Sequence, residues 1–255
     1  MVGRRSQDGG EVAFAEEALR WLGESSASHD GYWALFVEEQ PVALAANFHT
    51  EAAVLRLNGR LWSLSVNEGR GECSYPCSLL TQYVRYPLAE LSLVSSRLLR
   101  VSARLGLALL GVALRFGRVD RSVQWSSSLL STDLHDSALG AEAAAATRVL
   151  SERFPDRAIL LRNIHAFEDP GLPERLQSCG YELITSRQIY FFDGKTGCFG
   201  ARSDVKRDWK ALRSLKDYSV VEHSQFTSAD VPRILELYRM LYLEKHSSLN
   251  PQYTE

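Results

Sequence analysis

The stretch LLSTDLHD, Leu129 to Asp136, gathers two hydroxyls, two carboxylates and an imidazole after the strand-like segment SVQW and before an Ala-rich segment. In an open α/β sheet, ligands collect at the carboxyl ends of strands. Ser131, Thr132, Asp133 and His135 could there orient an amine or a carboxylate. Asp133 or His135 could serve as general base. The same residues also suit a plain turn in which Thr132 and Asp133 satisfy backbone amides. A Ser-His-Asp triad is not expected, since the side chains crowd into one turn without a nucleophile-elbow signature.

A second candidate is Arg162 in LLRNIHAF, at the end of an apolar strand-like run. A guanidinium near a buried sheet must be paired, either with a structural acid or with a ligand carboxylate or phosphate. Further along, TSRQIYFF holds Arg187, a second anchor for substrate, and Tyr190, which as strand core would need no other role. KRDWKALR mixes four cations with Trp209, a combination that binds phosphate or RNA and equally makes a solvated helix face.

The chemistry available to the whole chain is bounded by its composition. It has 255 residues, 45% hydrophobic and 24% charged, which is the ordinary folded range. A formal charge of -2 provides no whole-molecule attraction for nucleic acid or anionic lipid. Cys73 and Cys77 are spaced CxxxC with no His beside them, and with Cys179 and Cys198 they read as reduced structural thiols rather than metal ligands. No secretory signal follows the N-terminal arginines. The uncharged part of RLGLALLGVALR is too short to span a bilayer and reads as a buried helix. A cytoplasmic protein without membrane partner or metal is expected.

These candidates need elements to position them. EVAFAEEALRWLG has Phe14, Ala18, Trp21 and Leu22 at helical spacing. GYWALFVEEQPVALAANF reads as strand, turn, strand. Asn58-Gly59 between alternating segments marks a hairpin. Residues 67 to 86 read as a loop. A helix from Leu88 to about Phe116 carries the apolar stripe Leu91, Val94, Leu98, Val101, Leu105, Leu109 and Val112. There follow a strand from Ser122, a helix from Ser137, the strand AILLRNI, a short helix at LPERLQSCG and a strand over 181–193. Beyond these come a basic linker with a short helix, the strand YSVVEH, and a helix that Thr227 and Asp230 start with capping-box spacing. The fold class is α/β (α+β): a mixed, mainly antiparallel sheet flanked by helices.

The order of elements, with YSVVEH…TSADVPRILELY, LSTDLH, SRQIYFFD, KRDWKALR and LYLEKHSSLNPQYTE, resembles the GNAT N-acyltransferase superfamily, and within it the bacterial tandem-domain and Fem-type acyltransferases. The resemblance implies a first domain over 1–195, a linker over 196–216 and the start of a second domain over 217–255, to be completed by a partner chain or by further sequence. It implies acyl-CoA as co-substrate and a small-molecule amine as acceptor. Gly69 and Gly71 have the spacing of the superfamily's pyrophosphate loop, with Val66 where Gln or Arg belongs. Tyr190 would reprotonate the departing thiolate, and Tyr242, Lys245 and Asn250 would face the substrate channel. A scaffold of the same fold without catalysis is the alternative.

Overall fold

The computed structural model describes residues 9–25, 28–69, 72–133, 135–167, 169–191, 198–216, 219 and 221–254. Its elements begin with a short strand β1 (Glu11–Phe14), helix α1 (Ala15–Gly23), helix α2 (Ser28–Glu38) and one turn of helix α3 (Pro41–Leu44). Strands β2 (Glu51–Leu57) and β3 (Arg60–Glu68) form the hairpin that Asn58-Gly59 announces. Both turn residues have positive φ, 50° and 77°, as a two-residue hairpin loop requires.

Between β3 and the next strand lies an excursion holding α4 (Tyr86–Glu90) and the long α5 (Arg97–Phe116). Strand β4 (Arg121–Trp125), helix α6 (Leu139–Arg153), strand β5 (Ala158–Leu160) and helix α7 (Leu172–Ser178) complete the run. The five strands stand in chain order in one sheet. The first three pairings are antiparallel and β4–β5 is parallel, so the sheet is mixed and mainly antiparallel, as the segment order predicts.

Helices cover both faces of that sheet. On β2, Ala53, Leu55 and Leu57 point to one side, where they meet Leu139, Ala146 and Leu150 of α6 and Leu176 of α7. Ala52 and Val54 point to the other, against Trp21 of α1 and Trp33, Phe36 and Val37 of α2. A strand buried on both sides gains from apolar residues at every position, which is why EAAVLRL shows no alternation.

Three sequence expectations change here. Glu11–Phe14 is an edge strand paired with β2, not the first turn of a helix. GYWALFV is helical rather than a strand: Trp33, Phe36 and Val37 have i, i+3, i+4 spacing and all face the sheet, with the Trp33 indole N–H donating to Ala53 O at 2.8 Å. Pro41 then starts α3 instead of a turn between strands, because its fixed φ suits a helix N-terminus.

The excursion departs furthest from expectation. The single helix expected from Leu88 is interrupted at residues 94–96, and Ser96 caps α5 through Leu99 N–H. Leu91 of the expected stripe is buried, yet Leu98, Val101, Leu105, Leu109 and Val112 are all exposed. The buried helix read from RLGLALLGVALR is therefore corrected to a surface helix. Gly111 is its one buried residue, and an added Cβ there would lie 3.2 Å from Val84.

The chain divides into two compact units, Met1–Leu183 with Pro232–Glu255, and Ile184–Val231. These boundaries differ from those expected at 195 and 217. In the larger unit, helix α9 (Val231–Tyr238) continues into a π-turn over Arg239–Glu244. The last residues then form a mini-ladder with residues 44–47: Ala46 N–H donates to Gln252 O at 2.9 Å and Thr254 N–H to Leu44 O at 3.1 Å. The smaller unit contains α8 (Ser203–Ser214) and the expected capping box, in which Asp230 accepts from Thr227 N–H at 2.9 Å. Residues 181–191, expected as strand, are irregular, and the described residues of YSVVEH form no strand.

Candidate functional site

The parallel pairing of β4 with β5 ends at Gln124↔Leu160. Two residues further along each strand stand Ser126 and Arg162, and the imidazole of His135 joins them. Its Nδ1 lies 3.0 Å from Ser126 Oγ and its Nε2 lies 2.7 Å from the backbone carbonyl of Arg162. A carbonyl can only accept, so Nε2 carries the hydrogen; in the neutral ring Nδ1 then accepts from the Ser126 hydroxyl. A serine whose proton is held by an imidazole, itself oriented by a third group, is the pattern of an activated hydroxyl or a proton relay. Ser126 has φ 54° and its N–H donates to Ser63 O at 2.9 Å, so β3 holds the turn at a conformation that non-glycine residues rarely adopt.

Asp133 supports the loop from beneath. Its Oδ1 accepts from Ser128 N–H and from Ser128 Oγ, both at 2.8 Å, and its Oδ2 accepts from Asn163 Nδ2 at 2.8 Å. Arg162 Nη1 stands 3.7 Å from the same Oδ2, with the two side chains 7% and 2% exposed. A buried guanidinium and carboxylate thus pair, as the sequence reading required of Arg162. Asp133 fits the turn-holding role better than that of a base, because both of its oxygens already accept hydrogen bonds. Arg162 keeps a free donor: its buried Nε has no hydrogen-bond partner among the described residues. The phenol of Tyr32, on α2, donates to Ser128 O at 2.8 Å, and burial raises its pKa above the usual range, with Tyr253 and Asp133 adding to the shift.

The chain matches no family model, no curated protein and no solved structure.

The remaining sequence candidates separate. Ser131 and Thr132 are exposed on the same loop, and Thr132 O lies 3.4 Å from Ser128 Oγ. Gly69 has positive φ, but its N–H donates to Asn67 Oδ1 at 2.9 Å, and an added Cβ would press on the Asp120–Arg121 backbone at 3.2 Å. That amide therefore closes a turn instead of opening toward an anion; Gly71 lies outside the described residues. Tyr190 and Arg187 belong to the smaller unit, on the exposed irregular segment, with Tyr190 87% exposed. Their expected setting, a sheet strand beside the cleft, is corrected accordingly.

In the C-terminal segment, Asn250 is buried and donates to Tyr242 O and Ser247 O, both at 2.9 Å, so it closes the turn before Pro251. Tyr242 stacks on Tyr238 at 4.8 Å, and Lys245 is exposed. Among the described residues no group of His, Cys, Asp and Glu could hold a metal. The smaller unit carries a depression of about 300 Å³ lined by Gly200, Lys206, Trp209, Lys210 and Arg213, the basic and aromatic face read from KRDWKALR. Arg213 lies over the Trp209 ring at 5.9 Å.

Sequence reasoning missed Ser126, Ser128 and Asn163. The Ser126-Ser127-Ser128 run directly after a strand was the available signal, since serines there can cap or bridge strand ends.

Proposed function

We propose that this protein is an N-acyltransferase, moving an acyl group from a thioester donor of the acyl-CoA type to a small-molecule amine. The observation that carries the reading is the Ser126–His135 pair held at the parted carboxyl ends of β4 and β5, where ligands of α/β sheets collect. The amine attacks the thioester carbonyl, and its proton passes to Ser126 Oγ as the Ser126 proton moves to His135 Nδ1. The collapsing intermediate expels the thiolate, which the imidazolium reprotonates through the same hydroxyl. Arg162 is the positioning residue of the site: its carbonyl orients His135 and its guanidinium pairs with Asp133 beneath the loop. The mixed sheet, antiparallel up to β4 and parallel from β4 to β5, also supports the reading.

The test is thiol release from acetyl-CoA in the presence of a panel of primary amines, with S126A and H135Q alongside the unaltered chain. Either variant is expected to lower turnover by about 10²-fold or more. Unchanged turnover in both would refute the assignment.

One observation favours a scaffold without catalysis: Asp133, one of the two residues of the loop expected as general base, is committed to Ser128, Asn163 and Arg162. That reading expects neither turnover nor a rise in melting temperature with acyl-CoA.

A further inference from the structure

The outward face of α5 is the largest feature that the acyl-transfer reading leaves unused. At about 100° per residue, Leu98, Val101, Leu105, Leu109, Val112 and Phe116 fall within one sector of roughly 80°. Each of them is more than half exposed, Phe116 at 91%. The helix touches the body through Gly111 against Val84, about 120° around from the centre of this sector. That contact falls within the arc that Arg97, Arg100, Arg104 and Arg115 occupy, although all four arginines remain exposed. An amphipathic helix normally turns this sector toward a core; here the sector points away from one.

The charge pattern says what covers it. From Leu91 to Val119 there is no Asp or Glu, whereas Arg97, Arg100, Arg104, Arg115 and Arg118 all fall there, in a chain whose formal charge is -2. Arg97, Arg100, Arg104 and Arg115 share a sector of about 60° that borders the apolar one. None of these four has an ion-pair partner among the described residues. The opposite border is Ser102, Gly106 and Ala113, which are small and uncharged, and the Ser102 hydroxyl is turned back to Leu98 O and Leu99 O at 3.1 Å. A second copy of this face would oppose arginine to arginine with no acid to answer it. An anionic lipid surface answers both halves: acyl chains accept the leucine sector, and phosphates meet the arginine edge.

We propose that α5 is an interfacial anchor that lies flat on membranes carrying anionic phospholipid. Its 20 residues would rest along about 30 Å of bilayer surface. No described helix is long and apolar enough to cross a membrane, so the contact is lateral. The expectation of no membrane partner rested on the short uncharged run, on its burial and on the formal charge of -2. The exposure of α5 removes the second ground, and the acid-free run of arginines makes the local charge differ from the whole-molecule charge.

The test is co-sedimentation of the full chain with vesicles of phosphatidylcholine alone or mixed with phosphatidylglycerol. Binding is expected on the mixed vesicles, about tenfold or more stronger than on the neutral ones. It should weaken between about 0.1 and 1 M salt, as the screening length shortens from about 10 to 3 Å. L105S/L109S should abolish binding, and R100E/R104E should abolish it on mixed vesicles, both with an unchanged circular dichroism spectrum and melting temperature. Equal binding to both vesicle types, or binding to neither, overturns the proposal. So does a dimer in sedimentation equilibrium that L105S/L109S turns into monomer, which would assign the face to a second copy, or an acidic protein captured through α5 in the absence of vesicle binding.

Discussion

His135 Nε2 and the Arg162 carbonyl, 27 residues apart in sequence, meet at 2.7 Å where the β4–β5 ladder has just stopped. The imidazole stands in for the next rung of the sheet, and through Nδ1 it holds Ser126 on the other strand. Removing it should affect structure and, on the proposed acyl-transfer reading, turnover as well. H135A leaves a half-buried carbonyl and hydroxyl without that partner and should destabilise the fold by about 1–3 kcal/mol. H135Q, which can reach one of the two groups, should lose less stability while losing the same activity. Urea unfolding of both variants, set against their turnover, separates the two roles. A variant as stable as the unaltered chain and fully inactive would show that His135 acts on the reaction alone.

Asp133 and Arg162 form a buried pair, and breaking it from one side leaves a charge without its partner. D133A should destabilise the chain by about 3–5 kcal/mol. R162M should be similarly harmful, while the double variant D133A/R162M should recover part of the loss. A double-mutant cycle read by thermal unfolding decides this. Strict additivity would mean that Ser128 and Asn163, not the ion pair, account for the effect of Asp133.

Leucines on α5 and α6 should respond in opposite ways. Leu150 of α6 is fully buried in the sheet core, so L150A should cost about 2–5 kcal/mol. Leu105 of α5 is 63% exposed, and L105S should change stability by no more than about 0.5 kcal/mol. Denaturant midpoints at equal m-value give the comparison. A large loss for L105S would place α5 against a core.

Alkaline pH should unfold the chain earlier than a surface-tyrosine count suggests. Burial is the main cause that raises the pKa of Tyr32, Tyr181, Tyr238 and Tyr253. A raised folded pKa means that the unfolded chain gives up these protons first. The stabilisation from the four phenols is therefore complete below about pH 10 and is lost as pH climbs past it. Near-ultraviolet phenolate absorbance should rise in two stages, the later one coinciding with loss of circular dichroism. A single stage that matches the denatured chain would contradict the partial shielding of these phenols from water.

Local chemistry was legible in the residues themselves. Asn58-Gly59 makes the β2–β3 hairpin because few other pairs accept positive φ at both positions. Thr227 and Asp230 form their capping box from groups three residues apart. The mixed sheet and its helical layers likewise follow from the order of segments. Tertiary structure alone decided three other matters. GYWALFV, apolar almost throughout, has no period of its own; packing of Trp33, Phe36 and Val37 on the sheet made it a helix. The stripe on α5 states that one face is apolar, but the packing of the other side of the helix, with Gly111 against Val84, turned that face outward. And LSTDLH displayed its acid, base and hydroxyls in one line, whereas the partner that orients His135 and the hydroxyl that it holds come from the ends of two strands. Side-chain reach across a sheet depends on which strands are neighbours, and a linear chain does not carry that until its strands have paired.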